Sequence, residues 1–297
     1  MSDFFKELAK TLAQRWIGLL FVPGALFVAV ALVGVRLGHA HALDLSMASQ
    51  VFTTAATSIA GRAGTVQAVV LVAALLAAAG VGLLVQAMAP VTRTLWLGQW
   101  PGTILTARRV RRWERRLRHR QELEAAQPSE ARSASTQDEI DRATARMNAV
   151  AMARPGRPTW MGDRIHAVEA IAAGRYGLDL PFAWPRLWLT MPETARAEIS
   201  AANGAFAAAI TVAGWAWPTL LLGALWWPAL VMAVVIGTTG WVRGRSAITD
   251  LTSLAESALD LYGCALATAV GVETRRSTGP MEVDEGAQVT AIFRKGR

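Results

Sequence analysis

Three groups of residues in this chain carry side chains that could do chemistry, and their spacings permit different things. Asp163, His166 and Glu169 fall at i, i+3 and i+6, so a helix there would present two carboxylates and an imidazole on one face. Such a trio could exchange protons, but charged residues mostly stand in solvent, and that is the expectation here. His39, His41 and Asp44 offer nitrogen and oxygen donors. Two histidines at i, i+2 point apart on a helix, and transition-metal sites need three or four converging ligands. No metal site is read from them. The third group is the densest: Arg108, Arg109, Arg111, Arg112, Arg115, Arg116, Arg118 and Arg120, eight arginines in thirteen residues. Guanidinium groups grip phosphate and carboxylate oxygens through paired N–H donors. This tract is therefore a candidate for binding anions.

Other chemistry is missing from the sequence. It holds no histidine–glutamate zinc motif, phosphate-binding glycine loop, serine elbow or paired cysteines. Cys264 is alone, which excludes a disulfide within one chain, and it reads as a small packing residue. No cofactor and no enzymatic activity are implied.

The elements that must position these groups are helices, and four of them are apolar. Uncharged stretches run over Gly18–Val35, Val66–Val91, Ser200–Leu220 and Leu225–Trp241. About 20 apolar residues match the ~30 Å hydrocarbon core of a bilayer at 1.5 Å rise per residue. With 53% hydrophobic residues, the chain reads as an all-α, four-span transmembrane protein of two hairpins with a small helical cytoplasmic domain. No cleavage site follows the first stretch, so it is expected to stay inserted.

Of the 30 lysines and arginines, 28 fall before the first stretch, between the second and third, or after the fourth. Cytoplasmic segments carry the excess of basic residues, so both termini and the central region are expected in the cytoplasm of a bacterial inner membrane. Arginine outnumbers lysine 27 to 3 and alanine is abundant, as in GC-rich bacterial genomes. Indole rings favour the headgroup level. Trp16, Trp96, Trp100 and Trp241 are expected near the inner interface, and Trp215, Trp217, Trp226 and Trp227 near the outer one.

The expected organisation is an amphipathic interfacial helix over 1–17, a first hairpin over 18–92 with an external loop at 37–65, and an arginine-rich helical region over 93–199. A tight second hairpin over 200–243 and an amphipathic helix with a frayed tail over 244–297 follow. Within the arginine tract, Val110, Trp113 and Leu117 recur at helical spacing, so it reads as a basic amphipathic helix. Anionic lipid is its favoured partner; pairing with Asp250, Glu256 and Asp260 of the last helix competes. Nucleic acid is disfavoured, because no reader module accompanies the patch. Small residues at four-residue spacing, Ala74, Ala78 and Gly82 in the second stretch and Gly204 and Ala208 in the third, allow close helix packing or self-association. Capping-box spacings, Thr136 with Glu139 and Thr190 with Glu193, suggest two helix starts. A further helix is expected over Met161–Ala173, closed by Gly174.

The region from Pro158 to Trp188 is dense in Trp, Pro, Gly and Arg. Its blocks Arg175-Tyr176-Gly177-Leu178-Asp179 and Trp184-Pro185-Arg186-Leu187-Trp188 resemble ones in uncharacterised multi-span membrane proteins of actinobacteria and related bacteria. The resemblance covers about a third of the chain and implies a cytoplasmic segment between two helical hairpins, with no activity attached. Arg175, Tyr176, Trp184, Arg186 and Trp188 are candidates for docking a cytoplasmic protein partner; burial as a structural plug is the favoured alternative. The functional expectation is a non-enzymatic, homo-oligomeric membrane assembly whose cytoplasmic helices sense or recruit a partner. A passive pore is the first alternative, and a membrane enzyme acting on a lipid-linked substrate the second.

Overall fold

The computed structural model describes residues 22–126 and 133–294. Among these residues the chain is all-helical, with no strand. The amphipathic helix expected over 1–17 lies outside the described residues. Two compact units divide the chain: one from residues up to Thr92 with Ala208–Val242, the other from Arg93–Ala207 with Arg243–Arg297.

In the first unit, α1 (Val22–Leu37) and α2 (Leu45–Ala60) precede α3 (Gly64–Trp96). The segment read as an external loop over 37–65 is thus largely helix. Asp44 supplies its start: the carboxylate accepts from the Met47 amide at 2.9 Å and the Ser46 hydroxyl at 2.6 Å. These two bonds hold its carboxyl below the usual carboxylate range. Capping therefore explains the residue that sat beside His39 and His41. The helices α8 (Glu193–Gly214), α9 (Ala216–Gly223) and α10 (Pro228–Ala269) complete the apolar elements.

Close backbone approaches hold this unit together. A Cβ added to Gly24 would collide with the Ala78 carbonyl oxygen, and one added to Gly240 would fall 2.7 Å from the Ala213 Cβ. Ala78 and Gly82 are buried, as a packing face requires. Ala74, Gly204 and Ala208 are exposed, so the packing face of the third stretch is instead Ala209, Ile210 and Ala213. The tryptophans expected at the outer interface are partly spent on packing. Trp226 lies on Gly34 and donates to the Ala42 carbonyl at 3.0 Å. Trp217 donates to the Thr92 hydroxyl at 3.1 Å, four residues from Trp96, a residue assigned to the opposite interface. Its N–H is satisfied by a helix neighbour, so an outer headgroup layer is not what fixes Trp217.

Among the described residues, two helical segments are long and apolar enough to cross a membrane, Gly64–Trp96 and Glu193–Gly223. Only 17% of the most apolar part of the first is buried, with Leu71, Leu76 and Leu83 open to the surroundings. The core helix of a water-soluble protein is mostly buried.

The second unit contains α4 (Thr103–Ala126), α5 (Ala134–Asn148), α6 (Trp160–Tyr176), α7 (Leu180–Thr190), the C-terminal part of α10 and α11 (Val283–Arg294). Its core follows helical periodicity. Val168, Ala172 and Tyr176 of α6 meet Ala183 and Leu187 of α7, Ala258, Leu259 and Leu266 of α10, and Val289 and Phe293 of α11. The tail expected to fray is therefore a core helix from Val283 onward. Two glycines let it dock: a Cβ on Gly286 would collide with the Tyr176 carbonyl, and one on Gly177 with the Val283 carbonyl. Gly177 also adopts φ +63° as the left-handed cap of α6, so the helix expected to end at Gly174 runs to Tyr176.

Other helix ends moved for similar local reasons. Ser133, not Thr136, caps α5, its hydroxyl accepting from the Thr136 amide at 3.3 Å. Thr190 ends α7 and donates to the Leu187 carbonyl, so α8 begins at Glu193 without it. The fourth apolar stretch and the following amphipathic helix form one element, α10, of 42 residues.

Candidate functional site

The arginine tract lies on α4, and the helix sorts its eight arginines by period. Arg108, Arg111, Arg112, Arg115 and Arg118 are exposed, while Arg109, Arg116 and Arg120 are half-buried. Positions 108, 111/112, 115 and 118 follow the 3.6-residue repeat along one face, and 109, 113, 116 and 120 follow it along the other. The inner row is committed to the protein. Arg116 donates to the Arg146 carbonyl of α5, the Trp113 indole donates to the Ala151 carbonyl at 3.0 Å, and Arg120 pairs with Glu124 at 2.8 Å. The outer row continues toward the N-terminus of α4 as Ile104 and Leu105, 70% and 43% exposed.

Arg109 anchors this arrangement. Its Nε and Nη2 lie 2.8 and 2.6 Å from Oδ2 of Asp163, and Nη2 also donates to the Val150 carbonyl at 2.7 Å. The other Asp163 oxygen accepts from the amides of Gly156 and Arg157 at 2.9 and 2.7 Å. Asp163 is 2% exposed and stands in the first turn of α6, where the helix dipole favours an anion. The expectation of a solvated acid fails for Asp163 because four donors from α4 and the 156–157 segment replace its water. His166 and Glu169 do remain half-exposed, 3.6 Å apart. The tract's acidic partner outside α4 is Asp163; of the acids suggested earlier, Glu256 and Asp260 are engaged elsewhere and Asp250 is exposed.

Glu256 and Asp260 lie against α6. Tyr176 donates its hydroxyl to Asp260. Burial, then this bond, pushes the phenol up to about 12. Burial is also the main influence raising the Glu256 carboxyl and lowering the Arg164 guanidinium, and the attraction between the two opposes it in each. The guanidinium carbons of Arg164 and Arg245 lie 5.9 and 4.1 Å from the Trp160 ring centroid, within cation–π range.

The residues expected to dock a partner divide: Tyr176 belongs to the core, Trp184, Arg186 and Trp188 are half-buried, and Arg175 is exposed. Tyr176 is 4% exposed and packs in the central cluster, so it cannot meet a partner. Arg186 stacks over Phe293 of α11 at 4.7 Å and donates to the Phe182 carbonyl. Arg175 remains exposed beside the Tyr176 ring. Trp184 and Trp188 share one face of α7, ring centroids 6.4 Å apart, and wall an apolar cavity of about 650 Å3.

Sequence reasoning missed this cavity because its walls come from four helices far apart in the chain. The signal available was the i, i+4 pair Trp184–Trp188, which places two large rings on one face. Among the described residues, no three His, Cys, Asp or Glu side chains gather as metal ligands. No protein-family model, curated protein or solved structure matches this chain.

Proposed function

We propose that this is a four-span inner-membrane protein, both termini cytoplasmic, whose helical second unit lies against the anionic inner leaflet and recruits a cytoplasmic partner there. The observation that carries the reading is the sorting of α4. Five arginines project outward in a row headed by exposed Ile104 and Leu105, while the inner row is held through Arg109 and Asp163. A fixed row of guanidinium groups with an apolar end suits the boundary between headgroups and acyl chains. Each basic side chain near such a surface contributes ~1 kcal/mol.

Two further observations support it. Unburied leucines and valines of α3 suit hydrocarbon rather than water. Exposed Ala74, Gly204 and Ala208 leave small-residue surfaces open for a second copy, which supports a homo-oligomer.

The lipid reading is tested on the full chain in nanodiscs containing a diazirine-bearing phosphatidylglycerol, with crosslinked peptides mapped by mass spectrometry. Label is expected on the Ile104–Arg118 segment. Replacing Arg108, Arg111, Arg112 and Arg115 with glutamine should cost ~4 kcal/mol of attraction at about 1 each, enough to abolish most of that label. Raising salt should weaken it too, since the attraction is screened over ~8 Å at physiological ionic strength. Labelling indifferent to both changes would overturn the proposal.

A further inference from the structure

We propose that the cavity walled by α6, α7, α8 and α10 binds the hydrocarbon chain of a neutral, hydroxyl-bearing amphiphile of the monoacylglycerol type. The inference deepens the membrane reading above, which supplies the source of such a ligand. The cavity of about 650 Å3 falls in the ~300–1,000 Å3 range of small-molecule sites, which are apolar with a few placed polar groups. Trp184 and Trp188 of α7 line it together with Val168 of α6, Ile199 of α8 and Leu251 of α10. The two indoles meet at 47°, which leaves an aromatic corner for an alkyl chain rather than a slot for a flat ring.

The polar groups select the head. Thr252 lines the cavity, but its hydroxyl already donates to the Ile248 carbonyl at 2.8 Å. Ser200 and Asn203 of α8 are exposed at the mouth and offer a hydroxyl and an amide. Glu169 is the one charged residue in the lining among the described residues. Its neighbour His166, 3.6 Å away, lies outside the lining; with no lysine or arginine in the lining, the acid disfavours a carboxylate or phosphate head and can accept from a hydroxyl donor. Ser200 and Asn203 also stand at the start of the third apolar stretch, so a ligand drawn from a bilayer would have a short path along α8.

The full chain in nanodiscs, loaded with a monoacylglycerol carrying a diazirine in its acyl chain, tests this directly. Crosslinks are expected in the Leu180–Trp188 and Leu251–Ala255 segments. Unlabelled monoacylglycerol should compete them away, and oleate should not. Ala255→Trp fills the cavity and should remove label from both segments; Ser200→Trp blocks it from another wall should the first variant fail to fold. Glu169→Gln should improve competition by oleate roughly two- to fivefold, the worth of a half-exposed charge contact. Label that survives both tryptophan variants in folded protein, or that never reaches these segments, overturns the proposal. Oleate competing equally before and after Glu169→Gln overturns the choice of head group. Cysteine accessibility tests the membrane topology separately, so a failed cavity and a failed topology give different results.

Discussion

Replacing Asp163 with asparagine should unfasten α4 from α6. The carboxylate accepts two contacts from Arg109, at 2.6 and 2.8 Å, and two amide hydrogen bonds, at 2.9 and 2.7 Å. Asparagine keeps one acceptor oxygen, which can serve the Gly156 and Arg157 amides, but turns an N–H2 group toward the Arg109 guanidinium. Removing one member of a buried ion pair typically costs 3–5 kcal/mol. The Arg109 side chain is 22% exposed, so water recovers part of that and about 2–4 kcal/mol remains. At 2–4 °C per kcal/mol for a domain of this size, Tm should fall by roughly 5–15 °C. Thermal unfolding of the purified full chain, followed by tryptophan fluorescence, reads this. Hydrogen exchange should accelerate through α4 in Asp163→Asn while the Gly156 and Arg157 amides stay protected; Asp163→Ala should expose those amides as well. A cycle with Arg109→Met should give a coupling of about 1–3 kcal/mol, as contacting pairs do. A Tm change under 2 °C, or strictly additive single variants, would refute the view of this pair as the clasp of the second unit.

Gly286→Ala should displace α11, because the added methyl meets the Tyr176 carbonyl; a loss of about 1–3 kcal/mol and faster proteolysis after Val283 are expected, and wild-type stability would count against the docking described. Stability should also fall at alkaline pH. The Tyr176 phenol is raised from 10.0 to about 12 when folded, so its contribution is complete below pH 10 and lost as pH rises through 12. At 1.36 kcal/mol per pH unit, reduced for solvent screening at the phenol, that amounts to about 1–2 kcal/mol; Tyr176→Phe should flatten this part of the denaturation profile, and an unchanged slope would contradict it. For topology, cysteines at Ser58 and Ser135, both exposed, should react with an impermeant thiol reagent from opposite sides of intact cells, Ser58→Cys from outside. Equal reactivity would sink the four-span proposal.

Much of the helical framework was legible in the sequence because its cause is local. Apolar runs over 66–91 and 200–220 and the Val110–Trp113–Leu117 spacing each mark a helix without reference to a partner, and α3, α8 with α9, and α4 bear this out. Errors gathered where a distant contact decides the outcome. The tail helix α11 carries acids in its first turn and Arg294 in its last, a pattern favourable to the dipole. Yet its apolar pair Val289 and Phe293 means little until Tyr176 and Gly177 are known to lie beneath it. The sequence pattern places the end of α6 at Gly174; the helix ends instead at Gly177, where the Leu178 amide bonds back to the Ala172 carbonyl at 3.0 Å and α11 needs a residue without Cβ.

The acids show the same division between local and distant causes. Read alone, Asp163, His166 and Glu169 are three charges on one helix face, and solvent is the reasonable expectation for all three. The fold separates them: Asp163 is enclosed by Arg109 and two amides contributed from outside α6, whereas Glu169 faces the cavity beside Trp184 and Trp188. One short helix thus supplies a structural anion to the arginine helix on one side and the polar group of an apolar cavity on the other. The arginine face and the cavity mouth are joined through the rigid body of α6.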